Sequence, residues 1–164
     1  MPLTVFNALV NLLYYGVTVG FLPWIVLWIE DYWGVPRVSH PVLLGMAALA
    51  GWTGAGLQWW CIVLFQRRGR GTPSPVRPPQ KLVIAGPYRW VRNPINLGEL
   101  MVFVALAAWF GSLGLLVYAA LALLAFDIFV RRWEEPALQR QFGQAYDDYR
   151  QRVRRWMPKG PQRS

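Results

Sequence analysis

One cysteine and one histidine stand in a chain of 164 residues. A disulfide needs two thiols, and zinc-type centres draw on several Cys or His, so neither a disulfide framework nor a catalytic metal is expected. Cys61 lies within an apolar run and His40 between two such runs. Acidic residues are scarce as well, with eight Asp and Glu against seventeen Lys and Arg, for a net charge of +9. The most informative absence is local. No charge occurs from Leu3 to Ile29 or from Val42 to Phe65, and only Glu99 and Asp127 interrupt the run from Ile95 to Val130.

What is present is hydrocarbon, at 55% apolar residues and ten Trp. Roughly 20 apolar residues rising about 1.5 Å each cross a bilayer core. The third run is too long for one pass, and Trp109-Phe110-Gly111-Ser112 reads as an interfacial aromatic pair followed by a tight helix–helix turn. The expectation is therefore an all-α, polytopic membrane helical bundle and a single domain over residues 1–164. It has about four transmembrane helices, 3–29, 42–65, 95–110 and 112–131, the last two a hairpin, plus a cytoplasmic C-terminal helical tail. The first run lacks a basic leader and exceeds a signal-peptide core in length, so it reads as a retained span. Gly45, Gly51, Gly54 and Gly56, interleaved with Ala47, Ala48, Ala50 and Ala55, suit close helix packing in lipid.

Basic residues cluster in two places. Arg67, Arg68, Arg70, Arg77, Lys81, Arg89 and Arg92 precede the third run, and nine more lie from Arg131 onward, whereas Arg37 alone falls between the first two runs. The positive-inside rule then puts both termini in the cytoplasm, in a multi-pass protein of a prokaryotic cytoplasmic membrane. The same charge would grip anionic lipid headgroups. No nucleic-acid-binding fold is visible to use it otherwise. The Gly/Pro-rich tract Gly69–Pro79 reads as an irregular cytoplasmic connection.

Polar chemistry concentrates at the mouth of the hairpin. There the chain reads Gly86-Pro87-Tyr88-Arg89-Trp90-Val91-Arg92-Asn93-Pro94-Ile95-Asn96-Leu97-Gly98-Glu99, and Glu134-Glu135-Pro136 follows the apolar stretch. Gly86-Pro87-Tyr88 reads as a turn exposing backbone amides, and Asn93-Pro94 as the cap and first residue of a helix. A helix N-terminus beside Arg92 is a ready anion site. Glu99 and Asp127 fall near one membrane depth, and a carboxylate inside a span is costly unless it is paired or functional. The alternative for each is an ion pair with Arg92, Arg131 or Arg132, Arg131 lying four residues beyond Asp127. For Glu134 and Glu135 it is an exposed helix end.

The segment Arg92-Asn93-Pro94-Ile95-Asn96-Leu97-Gly98, the hairpin and Glu134-Glu135 resemble the signature of the integral-membrane methyltransferases typified by isoprenylcysteine carboxyl methyltransferase and phospholipid N-methyltransferases. The likeness continues through Leu138, Phe142-Gly143, Tyr146, Tyr149 and Pro158, and covers roughly residues 80–158. Two positions depart from the family: Asn93 stands where it has His, and Asn96 where an aromatic is common. The resemblance implies methyl transfer from S-adenosyl-L-methionine to a membrane-partitioned lipophilic acceptor: a lipid amine, a prenyl-cysteine carboxylate or a hydrophobic thiol. It further implies a cofactor pocket from Gly86, Pro87, Tyr88, Arg89, Arg92, Asn93, Pro94, Leu97, Gly98, Glu134 and Glu135. The two glutamates would accept bonds from ribose hydroxyls or the ammonium group. Arg92, Glu99 and Asp127 are the candidate catalytic residues, Arg92 orienting an anion and either carboxylate assisting deprotonation of an amine. Membrane lipids and the acceptor are the expected partners. An NADPH-dependent membrane reductase of the sterol-reductase type and a non-enzymatic scaffold or lipid-binding protein remain the alternatives.

Overall fold

Peptide groups in hydrocarbon have no water to bond, so uninterrupted apolar runs satisfy themselves as helices. The computed structural model describes residues 3–69 and 81–158, and the Gly/Pro-rich tract lies outside them from residue 70. Helix α1 (Leu3–Tyr15), a π-helical segment Gly16–Phe21 and α2 (Leu22–Tyr32) form one continuous rod. Next comes α3 (Pro41–Leu64), which runs on as a π segment, Phe65–Gly69. The hairpin is α4 (Pro94–Phe110) and α5 (Leu113–Phe129). A further π segment, Val130–Glu134, carries α5 without a break into α6 (Glu135–Phe142), and α7 (Gln144–Arg152) ends the helical tail. Leu9–Tyr32, Pro41–Leu64 and Leu113–Phe142 are long and apolar enough to cross a membrane. α4 is apolar but has 17 residues, the lower end of the ~17–25 that suffice. Among the described residues there is no strand, only an isolated parallel bridge between Val91 and Arg154.

Two of the π segments have a common cause. Proline lacks an N–H, and its ring clashes with the carbonyl four residues back. Immediately before Pro23, the Leu22 N–H bonds the Val17 carbonyl. Immediately before Pro136, the Glu135 N–H bonds the Val130 carbonyl. In each case the chain has slipped from an i−4 to an i−5 partner, which is how a π turn absorbs the missing donor.

Contacts divide the chain into two units, one of Met1–Thr53 with Leu100–Ala122 and one of Gly54–Glu99 with Leu123–Ser164. The first unit is tied by polar contacts at the ends of its helices. Its α4–α5 turn bends at Gly111, with φ +59°, and Val38 N–H donates to the Gly111 carbonyl at 3.1 Å. Ser112 caps α5 by accepting the Leu115 N–H at 2.9 Å. Glu30, 5% exposed, accepts the Gly114 N–H at 2.7 Å, a carboxylate set on the positive end of a helix. Arg37 holds Glu30 at 3.7 Å and Asp31 at 2.7 Å. Pro23 cannot supply the N–H that the Thr18 carbonyl would meet in π register, and the Tyr118 hydroxyl donates to that carbonyl at 2.8 Å. In the second unit one apolar cluster gathers Cys61, Val83 and Tyr88, with Leu57, Leu64, Phe65 and Ile95 packed on it. Another gathers Tyr146, Tyr149 and Val153 with Leu82, Leu138 and Phe142.

The turn gives a stability prediction. A Cβ on Gly111 would overlap the Val38 backbone carbonyl, whereas one on Gly143, also at positive φ, meets nothing within 4 Å among the described residues. Gly143→Ala should cost about 1–3 kcal/mol of backbone strain. Gly111→Ala should cost more than about 4 kcal/mol, since a backbone overlap adds to that strain. Thermal unfolding in detergent checks both, and equal midpoints for the two variants would contradict the packed turn.

Candidate active site

All the residues that follow belong to the second unit. Gly86, at φ +55°, begins a 3₁₀ turn, Gly86–Arg89, in which Pro87 presets the backbone. A side chain at Gly86 would strike Leu64 and the Trp60 ring, so the turn seats closely on α3. This buries Tyr88, whose ring meets Phe65 edge to face at 5.4 Å and whose hydroxyl hydrogen-bonds Cys61. Burial, reinforced by Cys61, pushes the Tyr88 phenol well above its ordinary range, so it stays protonated. Several amides that the sequence suggested were exposed are turned inward. Those of Tyr88, Trp90 and Val91 bond the carbonyls of Ala85 or Pro87.

Beyond the turn, the extended end of the tail straps the loop. Arg92 N–H donates to the Arg154 carbonyl at 2.9 Å and Asn93 N–H to the Arg155 carbonyl at 3.3 Å. Tyr149, on α7, donates its hydroxyl to the Tyr88 carbonyl at 2.7 Å. The two backbone amides just before α4 are thereby taken by protein carbonyls.

Side chains build the centre of the site. Arg155 grips both oxygens of Glu135 through Nε at 2.8 Å and Nη2 at 2.9 Å. Arg92 Nη2 shares one of those oxygens at 3.1 Å, with the Arg92 and Glu135 side chains 10% and 12% exposed. The Tyr146 hydroxyl accepts a long bond from Arg92 Nη1, at 3.5 Å. Burial pushes that phenol up to about 12, Glu135 adding to the rise and Arg92 opposing it. Asp127 is likewise committed: it takes the Trp156 indole N–H at 2.8 Å, Arg131 at 2.6 Å and Arg155 at 3.7 Å. Two buried donors, Arg92 Nε and Asn93 Nδ2, have no hydrogen-bond acceptor among the described residues. Glu134, half-buried beside Glu135, forms no salt bridge among the described residues.

The sequence model of the phospholipid methyltransferase family matches residues 44–145, more than half of the chain. The chain belongs to that family. No curated protein sequence matches it significantly. Among solved structures it is similar to the eukaryotic intramembrane Ras methyltransferase, isoprenylcysteine carboxyl methyltransferase, with a TM-score of 0.62 and 22% identity. The alignment covers 88% of this chain and 52% of that protein, so the chain spans about half that protein's length and shares its membrane fold. The family match takes in the loop, the hairpin and the glutamate pair, and stops before the strap.

Measured against the expectation, the structure brings Arg92, Glu135 and Tyr146 together, and links Asp127 to them through Arg155. Glu99 is 2% exposed and lies on α4 next to Gly98, where a Cβ would be 2.7 Å from the Gly54 carbonyl oxygen. Gly98 thus serves the close approach of α4 to α3. Pro94 starts α4 and is buried, Leu97 is half-buried, Pro87 and Tyr88 are buried in the turn, and Arg89 is exposed. The Glu pair is no exposed helix end, because α5 runs through it into α6. Arg155, Trp156 and Tyr146 were missed as site residues. Tyr146 was visible in the family-like tail pattern, Trp156 lay outside it, and Arg155 resembled every other tail arginine.

Proposed function

We propose that this chain transfers a methyl group from S-adenosyl-L-methionine to a membrane-partitioned acceptor. Membership of the phospholipid methyltransferase family supports the reaction class. The observation that carries the cofactor assignment is the adjacent pair of buried donors lacking acceptors among the described residues, Arg92 Nε and Asn93 Nδ2. Such donors fit a carboxylate, and Glu134, outside any salt bridge among the described residues, fits an ammonium group or ribose hydroxyls. When bound, the cofactor supplies a methyl group on an electrophilic sulfonium.

The protein's part is alignment in a site that excludes water. Arg92 and Asn93 would hold the anionic end, and Glu134 the polar groups opposite it. An amine acceptor must lose a proton. Glu99 or Asp127 is then the proposed base, Asp127 by way of its contacts with Trp156, Arg131 and Arg155. A carboxylate or thiolate acceptor needs none. The basic clusters around 67–92 and 131–155 favour the cytoplasmic side for these residues.

Binding of tritiated S-adenosylmethionine and of NADPH to protein in detergent tests the assignment. Arg92→Ala and Glu134→Gln should each weaken cofactor binding at least about tenfold, as expected for a lost charge-assisted contact worth ~1.5–3 kcal/mol. Binding of NADPH in place of the methyl donor, or unchanged affinity in both variants, would overturn it. Incubation of native membranes with labelled cofactor should put label into organic-extractable products. Label confined to water-soluble products would exclude a lipophilic acceptor. In a Cys61→Ser background, His40→Cys should react with impermeant maleimide in intact cells and Arg68→Cys only after lysis, the reverse pattern inverting the orientation.

A further inference from the structure

We propose that Arg155 is a positioning residue that keeps the charge of Arg92 available to ligand, an inference resting on the cofactor reading above. Residue 155 lies beyond residues 44–145, which match the family, so the family match does not reach it. Its side chain and its backbone act on the same loop. Through the guanidinium it takes both oxygens of Glu135, at 2.8 and 2.9 Å. Through its carbonyl it accepts the Asn93 N–H at 3.3 Å, one residue after Arg154 accepts the Arg92 N–H at 2.9 Å.

The electrostatic consequence lies in how Glu135 is shared. Glu135 faces two guanidinium groups, Arg155 in a two-pronged grip and Arg92 at one oxygen, 3.1 Å away. Asp127 also faces Arg155, at 3.7 Å, but Glu135 is the carboxylate the two arginines share, and the forked pairing assigns most of it to Arg155. Without Arg155, Glu135 is left to Arg92 alone. The two would close into a neutral pair, and the pull of Arg92 on an anionic group would fall.

Geometry selects Arg155 among the tail arginines. Residues alternate sides along an extended chain, and here Val153 is buried, Arg154 exposed and Arg155 partly buried. Asp127 secures the end of the strap through the Trp156 indole at 2.8 Å and Arg155 at 3.7 Å. A lysine would keep the charge but lose the fork.

The test uses the full chain in detergent and has two arms. Hydrogen exchange on cofactor-free protein reads the strap: in Arg155→Met the amides of Arg92 and Asn93 should exchange at least about tenfold faster. Binding of labelled S-adenosylmethionine reads the positioning. Arg155→Met should raise the dissociation constant at least about tenfold, with kcat at saturating cofactor kept within about threefold. In a Glu135→Gln background the same substitution should add less than about threefold, because its effect runs through that carboxylate. Unchanged exchange, fully additive effects with Glu135→Gln, or an equal fall in kcat would overturn the proposal. Should Arg155→Met fail to fold, Arg155→Lys carries the same readings at reduced size. A wild-type protein that binds no S-adenosylmethionine would sink the cofactor reading, while the exchange arm still decides whether Arg155 holds the loop.

Discussion

A peptide N–H or C=O left unpaired in hydrocarbon costs several kcal/mol, and the irregular points of two helices answer to that constraint. Pro23 and Pro136 each withdraw one donor, and each is preceded by a helical turn bonded i to i−5. At the first proline the debt is settled locally, by the Tyr118 hydroxyl on the Thr18 carbonyl. At the second the slip has consequences for chemistry. One extra residue in a turn rotates everything after it by about 100° relative to a regular helix. Glu135 is the first residue past that slip, and its carboxylate meets Arg92 and Arg155. The proline beside the glutamate pair therefore sets where one of the two glutamates points.

Charge in the second unit is sorted by burial. Glu99, Asp127, Glu134, Glu135, Asp147 and Asp148 are all buried or half-buried, while Arg67, Arg68, Lys81, Arg89, Arg131, Arg132, Arg140, Arg150, Arg152 and Arg154 are exposed. A positive exterior of this kind suits an anionic lipid surface. Inside, Asp127 and Glu135 bind arginines drawn from the loop, from the helix and from the strap. Burying such ions costs about as much as their attraction returns. The cluster is better understood as a geometric device that joins three remote segments than as a source of net stability.

How much of this was legible in the sequence follows from how local each signal is. The helices were, since charge-free apolar runs leave the backbone no other solution. The turn at Gly111-Ser112 was too, because a glycine and a capping serine act within four residues of themselves. The π segments were not read, although Pro23 and Pro136 marked two of the three. Tyr88 and Gly98 lay inside the signature but work in packing, a distinction that depends on what α3 presents to them, namely Cys61 and Phe65 in one case and Gly54 in the other. Arg155 was least legible. Its difference from Arg152 or Arg154 arises only when the chain becomes extended after Val153 and pairs with residues 91–93.

The strap also changes what sort of anion site the start of α4 offers. A bare helix N-terminus binds anions with backbone amides, and those of Arg92 and Asn93 are occupied by the carbonyls of Arg154 and Arg155. The same two residues offer side-chain donors instead: Arg92 at Nε and Asn93 at Nδ2 are buried and have no acceptor among the described residues, an arrangement that costs about 1–3 kcal/mol for each group left unpaired. An asparagine amide stays neutral across the physiological range, unlike the histidine the family signature carries there. On the proposed reading, the charge at this site then rests with Arg92, and Asn93 contributes direction. That division of labour makes the bond between Glu135 and Arg155 matter, because it decides how much of the Arg92 charge is left over.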